Sequence, residues 1–242
     1  MTTMGDFTDR PPDLEGFATR FPPPGVPRSL RRRVPATTVP VELDDRTWRM
    51  IETAVRAYPV IVLVGPPGTG KGTILHQLVE RGRASPEAFG LEAREDPAWP
   101  DPLKRTPDES MVLDHVIGGL MPTGGSGEFR WGSGFLLDAI RDDRWLILDE
   151  INRADLDRIL GPLLTWLAGE EVELGTLTPN PGAPRLMLGW SDDAKSGCEP
   201  PTGLDTDPSS GDEIWFRAGR DFRVLGTFNA QDAHRVFSMG QA

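Results

Sequence analysis

The sequence predicts a mixed α/β fold, three layers built around a mostly parallel sheet, and three stretches carry that expectation. Val60-Ile-Val-Leu-Val64 is a continuous, mostly β-branched apolar run, the pattern of a strand buried on both faces of a parallel sheet. It leads into the glycine-rich Gly65-Pro-Pro-Gly-Thr-Gly-Lys71 and then a helical pattern. Trp145-Leu-Ile-Leu148 is a second apolar run and delivers Asp149 and Glu150 at its carboxyl end, where open α/β sheets place ligands. A third, Phe222-Arg-Val-Leu-Gly-Thr-Phe-Asn229, ends on a polar amide.

Residues 1 to about 40 hold Pro11, Pro12, Pro22, Pro23, Pro24, Pro27, Pro35 and Pro40 and no hydrophobic periodicity, which predicts an extended arm. Arg31, Arg32 and Arg33 inside it read as a solvated run or a docking patch for an acidic partner or for nucleic acid. From residue 41 onward the chain reads as the core. Asp44 or Asp45 can cap a helix running to Ala57, with Trp48, Ile51 and Val55 on one face.

Gly65, Gly68 and Gly70 allow a tight turn whose N–H groups converge, and Lys71 brings a cation to the β- and γ-phosphates of a nucleotide at a helix N-terminus. Pro66, Pro67 and Thr69 complete the loop, and Gly72 and Thr73 open the helix, which Gly82 closes. Gly72 stands where a Ser or Thr hydroxyl normally binds Mg²⁺. Thr73 is one residue late, a rotation of about 100° around the helix, so weakened or altered metal binding is expected.

Ala88 to Ala93 reads as a strand, followed by a Pro-rich loop through Pro107 and a short helix over 108–117. A hairpin element is expected near 118–134 and a helix over Phe135–Arg141; His115 lacks a metal partner at ligand spacing. Asp149 suits a hydrated Mg²⁺, and Glu150 suits polarising an attacking water. Beyond Ile151, the residues Leu156, Ile159, Leu160, Leu163, Leu164 and Leu167 form an apolar face despite Pro162. Glu170–Leu174 reads as a short strand. The stretch near 175–213, with Asp192, Asp193, Glu199, Asp205 and Asp207 against Lys195, reads as a mobile acidic loop. Ile214–Phe216 and 222–229 supply the last strands, and Asn229 at a strand end can orient a water beside a γ-phosphate.

The chain of 242 residues, 38% hydrophobic with seven tryptophans, can bury one substantial core. It lacks a long apolar segment and a signal-like start, which predicts a cytoplasmic protein without a membrane role. A single cysteine, Cys198, excludes an internal disulfide framework and a cysteine metal cluster, and reads as an incidental loop thiol. The net charge of -11 argues against a broad nucleic-acid surface.

Together these residues resemble the AAA+ ATPases of the MoxR/McrB-like, dynein-related branch of the P-loop NTPases, from about Thr38 to the last residue. Gly65-Pro-Pro-Gly-Thr-Gly-Lys71 looks like Walker A, and Leu146-Ile-Leu-Asp-Glu-Ile-Asn-Arg-Ala154 like Walker B with the branch's Asn-Arg extension. Gly226-Thr-Phe-Asn229 looks like the sensor 1 strand. The resemblance implies ATP and Mg²⁺ as ligands and a homo-oligomeric ring with ATP between subunits. It also implies remodelling of a protein or nucleoprotein, with a von Willebrand A-domain or nuclease effector. Against the family's pattern, the sequence after Gln231–Ala242 lacks the arginine cluster, fifth strand and helical lid, and Arg235 precedes the expected finger. That implies a fragment or half of a split ATPase, slowed by on the order of 10³ to 10⁵ without its finger, and an exposed edge on the first strand. Two other readings remain open: a non-catalytic nucleotide-dependent interaction subunit, and a nucleotide kinase, since Gly68-Thr-Gly-Lys-Gly-Thr73 also resembles the adenylate kinase loop.

Overall fold

The computed structural model describes residues 40–94, 99–123, 127–200, 204 and 213–230. The proline-rich arm with Arg31–Arg33, the acidic Asp205 and Asp207, and Gln231–Ala242 with Arg235 lie outside the described residues.

Helix α1 (Asp45–Ala57) starts where the Asp44 carboxylate accepts the Thr47 N–H at 2.7 Å, and it buries Trp48, Ile51 and Val55. Strand β1 (Val60–Gly65) follows, then α2 (Lys71–Ala84). Gly82 does not close α2, which continues to Ala84. Gly82 is buried in the helix, where an added Cβ would lie 3.4 Å from the Trp145 ring. The strand expected over 88–93 is instead a 3₁₀ turn, Pro86–Phe89, ended by Gly90 in the left-handed region. The strand is β2 (Leu103–Arg105), inside the Pro-rich stretch.

A one-turn helix α3 (Leu113–Val116) is all that forms of the expected 108–117 helix. Across 118–134, β3 (Gly118–Pro122) pairs antiparallel with β4 (Phe129–Ser133). Helix α4 (Phe135–Arg141) is buried nearly all round, the condition of a helix inside a core. Strand β5 (Leu146–Leu148) then runs into a 3₁₀ turn at Ile151–Arg153 and the short helices α5 (Leu156–Leu160) and α6 (Leu164–Leu167). Leu164, expected in the core, is 62% exposed, because the helix is broken at Gly161–Leu163 and its face turns.

Strands β6 (Val172–Thr176), β7 (Arg185–Trp190), β8 (Gly197–Glu199) and β9 (Glu213–Ala218) form a second sheet in the order β6-β7-β9-β8. The expectation of a long irregular loop near 175–213 is therefore corrected. Leu186, Leu188, Ile214 and Phe216 alternate inward from this sheet and join one core with α4. Trp190 stacks on Trp166 of α6 with centroids 4.8 Å apart, and its Nε1 donates to the Trp166 carbonyl at 2.8 Å. Cys198 is correspondingly a buried strand residue, and burial pushes its thiol up to about 11. Its thiolate fraction at pH 8 should be on the order of 10²-fold below that of an ordinary cysteine. Iodoacetamide labelling should accordingly be about that much slower in the native chain than in urea; equal rates would place the thiol in solvent.

Strand β10 (Val224–Asn229) closes the first sheet, which is parallel in every described pairing, with strand order β1-β10-β5-β2. Ile61, Leu63, Leu225 and Ile147 meet α1 and α2 on one face. Leu146, Leu148, Val224 and Phe228 meet α4, α5 and α6 on the other. The described residues therefore have the α/β fold class expected of a P-loop NTPase. Burial of β1 on both faces does not hold: Val64 is 66% exposed and Val60 and Val62 are partly exposed. β1 is the edge of the described sheet, paired with β10 alone. No helix among the described residues is long and apolar enough to cross a membrane.

Candidate functional site

The strand order puts β10 between β1 and β5, so the loop after β1, the turn after β5 and the end of β10 share one carboxyl edge. In the loop, Gly68 (φ 78°) and Gly70 (φ 80°) take the left-handed backbone that only glycine adopts readily. A Cβ at Gly70 would also come within 2.6 Å of Val41. Gly70 caps the N-terminus of α2, whose unpaired N–H groups and dipole favour an anion. Lys71 Nζ donates to the carbonyls of Gly65 at 2.9 Å and Pro66 at 2.7 Å, and Thr69 Oγ1 donates to the Pro66 carbonyl at 2.9 Å. Two of the three ammonium donors are thus held against the loop. A Cβ at Gly72 would meet nothing within 4 Å.

Asp149 follows β5. Its Oδ1 accepts the Thr227 hydroxyl at 2.7 Å, and its Oδ2 pairs with Lys104 Nζ of β2 at 2.9 Å. Burial works against the charge, but hydrogen bonds from Lys104 and Thr227, with the charges of Lys104 and Lys71, outweigh it and hold the carboxyl below its ordinary range. Glu150 sits at φ 59°, ψ 52°, a left-handed conformation uncommon outside glycine, asparagine and aspartate. Its N–H donates to Thr227 Oγ1 at 2.7 Å, so one hydroxyl ties both acidic residues to β10.

The Glu150 carboxylate accepts the Asn229 side-chain amide on Oε1 at 3.2 Å and pairs with Arg153 through Oε2 at 2.5 Å. Asn229 is fixed in turn because its backbone N–H donates to Asn152 Oδ1 at 3.0 Å. Asn152 and Asn229 are both buried.

The structure thus joins Asp149, Glu150 and Asn229 in one hydrogen-bonded cluster. The sequence-selected loop residues 65–73 lie at the same sheet edge. Sequence reasoning passed over Thr227, Lys104 and the side-chain contacts of Asn152 and Arg153. Thr227 had a signal, since period-two spacing from Asn229 puts both on one face of β10; Lys104, in a Pro-rich stretch, had none.

No group of three or more His, Cys, Asp or Glu side chains suited to a metal occurs among the described residues. Mg²⁺ rarely needs one, taking one or two carboxylates with waters and phosphates, and an ionised Asp149 fits that demand. A phosphate group fits the N-terminus of α2.

No family model matches the chain. Among solved structures it is similar to a candidate ATPase from Cytophaga hutchinsonii, with 14% identity and a TM-score of 0.39, over 81% of this chain. The match spans only 39% of that protein's chain, and so distant a likeness carries no functional argument.

Proposed function

We propose that this chain binds ATP on the 65–73 loop and hydrolyses it, as a MoxR- or McrB-like AAA+ module. The observation that supports the reading best is the convergence of three strand ends. The glycine loop, the Asp149–Glu150 turn and Asn229 meet at one edge, with Asn229 bonded directly to Glu150. Lys71 and the N-terminus of α2 hold the phosphates. Glu150 accepts a proton from the attacking water, and Asn229 orients Glu150 and that water. Asp149 would hold Mg²⁺, which when bound would supply charge neutralisation for the phosphates. In this reading the complete assembly is a cytoplasmic ring that drives a protein effector of the von Willebrand A-domain or nuclease type.

A different reading, a nucleotide-dependent interaction subunit without turnover, is favoured by Gly72 and by the ion pair that engages the Glu150 carboxylate with Arg153. Steady-state release of ADP and phosphate from ATP, with and without AMP, separates the readings. Turnover independent of AMP supports the hydrolase. Binding with no turnover supports the interaction subunit, and ADP formed only with AMP present would identify a kinase.

Gly72→Ser should bring a hydroxyl into the open space at the start of α2. The Mg²⁺ concentration that half-saturates ATP binding should fall by about three- to tenfold, the worth of one added ligand hydrogen-bonding group. A fluorescent-nucleotide titration against Mg²⁺ measures it, and an unchanged midpoint would show that position 72 does not face the metal.

A further inference from the structure

Asp149 leaves β5 on the face of the first sheet that carries α2. Ile147, two residues earlier, lies in the core shared with Leu75 and Leu78 of α2, and side chains two apart along a strand share a face. The ladder continues past the end of β5, where the Asp149 N–H donates to the Arg105 carbonyl of β2 at 2.8 Å. Lys104 is in register with Ile147 and so stands on the α2 face as well. From there its Nζ reaches Asp149 Oδ2 at 2.9 Å, while the Thr227 hydroxyl holds Oδ1 at 2.7 Å. The carboxylate at the phosphate edge therefore already has a cation beside it.

A second observation concerns the start of α2. Gly72 brings no hydroxyl to the position that normally gives Mg²⁺ a ligand, and Lys71 spends two of its donors on the carbonyls of Gly65 and Pro66. The divalent ion lacks one of its usual ligands here, and an ammonium occupies the carboxylate that remains. We propose that Lys104 is the resident cation of the phosphate site, competing with Mg²⁺ for Asp149, so that this chain binds nucleotide with reduced dependence on divalent metal. This role presupposes the nucleotide site on residues 65–73 proposed above.

The electrostatics follow from that geometry. A bare carboxylate a few Å from a polyphosphate repels it, and one unit charge at such a distance in a partly solvated site changes affinity by on the order of tenfold. Lys104 cancels that repulsion when no metal is present. The same charge opposes a divalent ion at Asp149, so the metal gains less by binding. The pair can open at small cost, because the Lys104 and Asp149 side chains are 56% and 28% exposed and pairs of this kind contribute little to stability. Thr227, 1% exposed, keeps the carboxylate in place whichever cation takes Oδ2.

Equilibrium binding of a fluorescent ATP analogue to the full chain, in excess EDTA and in saturating Mg²⁺, tests the role against Lys104→Met and Lys104→Arg. Lys104→Met should weaken metal-free binding by about tenfold and lower the Mg²⁺ concentration that half-saturates binding, with Tm unchanged, whereas Lys104→Arg should stay close to wild type. A residue that merely supported the fold would not move these two quantities in opposite senses. A ratio of metal-free to metal-bound Kd that is the same in the wild-type chain and Lys104→Met, or equal weakening under both conditions, would overturn the proposal while leaving the nucleotide site intact. Binding that is not saturable in the wild-type chain, or that ignores Lys71→Ala, would remove the nucleotide site and this role with it.

Discussion

Glu150→Gln is expected to leave ATP affinity unchanged and to lower turnover by about 10²- to 10⁴-fold, the usual contribution of a general base. The substitution keeps the length of the side chain and an oxygen able to accept the Asn229 amide that now reaches Oε1 at 3.2 Å. What it removes is the ability to take a proton. The lost ion pair with Arg153 matters little for stability, since both partners are substantially exposed and such pairs are weak. Single-turnover rates beside equilibrium binding distinguish the cases. Unchanged turnover would remove Glu150 from the chemistry, and lost binding would show that its place in the turn is structural.

Thr227→Val should destabilise the chain by about 2–4 kcal/mol and lower Tm by about 5–15 °C, with Thr227→Ser close to wild type. Thr227 is 1% exposed and its hydroxyl does two things: it accepts the Glu150 N–H and donates to Asp149, each at 2.7 Å. Valine fills nearly the same volume, so the change isolates the polar contribution. It leaves a buried N–H unpaired in a residue already held left-handed, and Asp149 with Lys104 as its remaining side-chain partner.

The pH dependence has a definite sign. Because the native pKa of Asp149 is depressed, its contribution is full above the ordinary carboxylate range and is lost as pH falls through the lowered native value. The stability difference between the wild-type chain and Thr227→Val in urea melts should shrink in acid, leaving the part due to the Glu150 N–H. A gap constant from neutral to acid pH would mean that the Thr227 bond to Asp149 contributes nothing.

What could be read from the sequence follows from where local signals agree with tertiary ones. β5 and β10 are β-branched or leucine-rich runs ending abruptly in polar residues, and α1 begins at a capping aspartate, so each declares its own limits. β2 does not: Leu103-Lys-Arg105 is short and charged, and becomes a strand because β5 offers it a neighbour. The second sheet was hidden for a similar reason. Its β7 and β9 pair in parallel across more than twenty residues of Gly-, Pro- and Asp-rich chain, whose composition reads as a loop. β1 went wrong in the opposite sense, since an apolar run reports a preference for burial and not whether a neighbour covers it. At the site, Asp149, Glu150 and Asn229 stand out because their chemistry sits at strand ends, and Lys71 because it opens a helix behind a glycine-rich loop. Thr227 and Lys104 act through partners distant in sequence, and only the strand order brings those partners close.

Equilibrium binding of ATP to the full chain, compared with Lys71→Ala, tests the central assignment most directly. The expected result is saturable one-to-one binding that Lys71→Ala weakens by about 10²-fold, the worth of the charge-assisted bonds one ammonium gives a phosphate. Absence of saturable binding, or affinity indifferent to Lys71→Ala, would contradict the reading of residues 65–73 as a phosphate site.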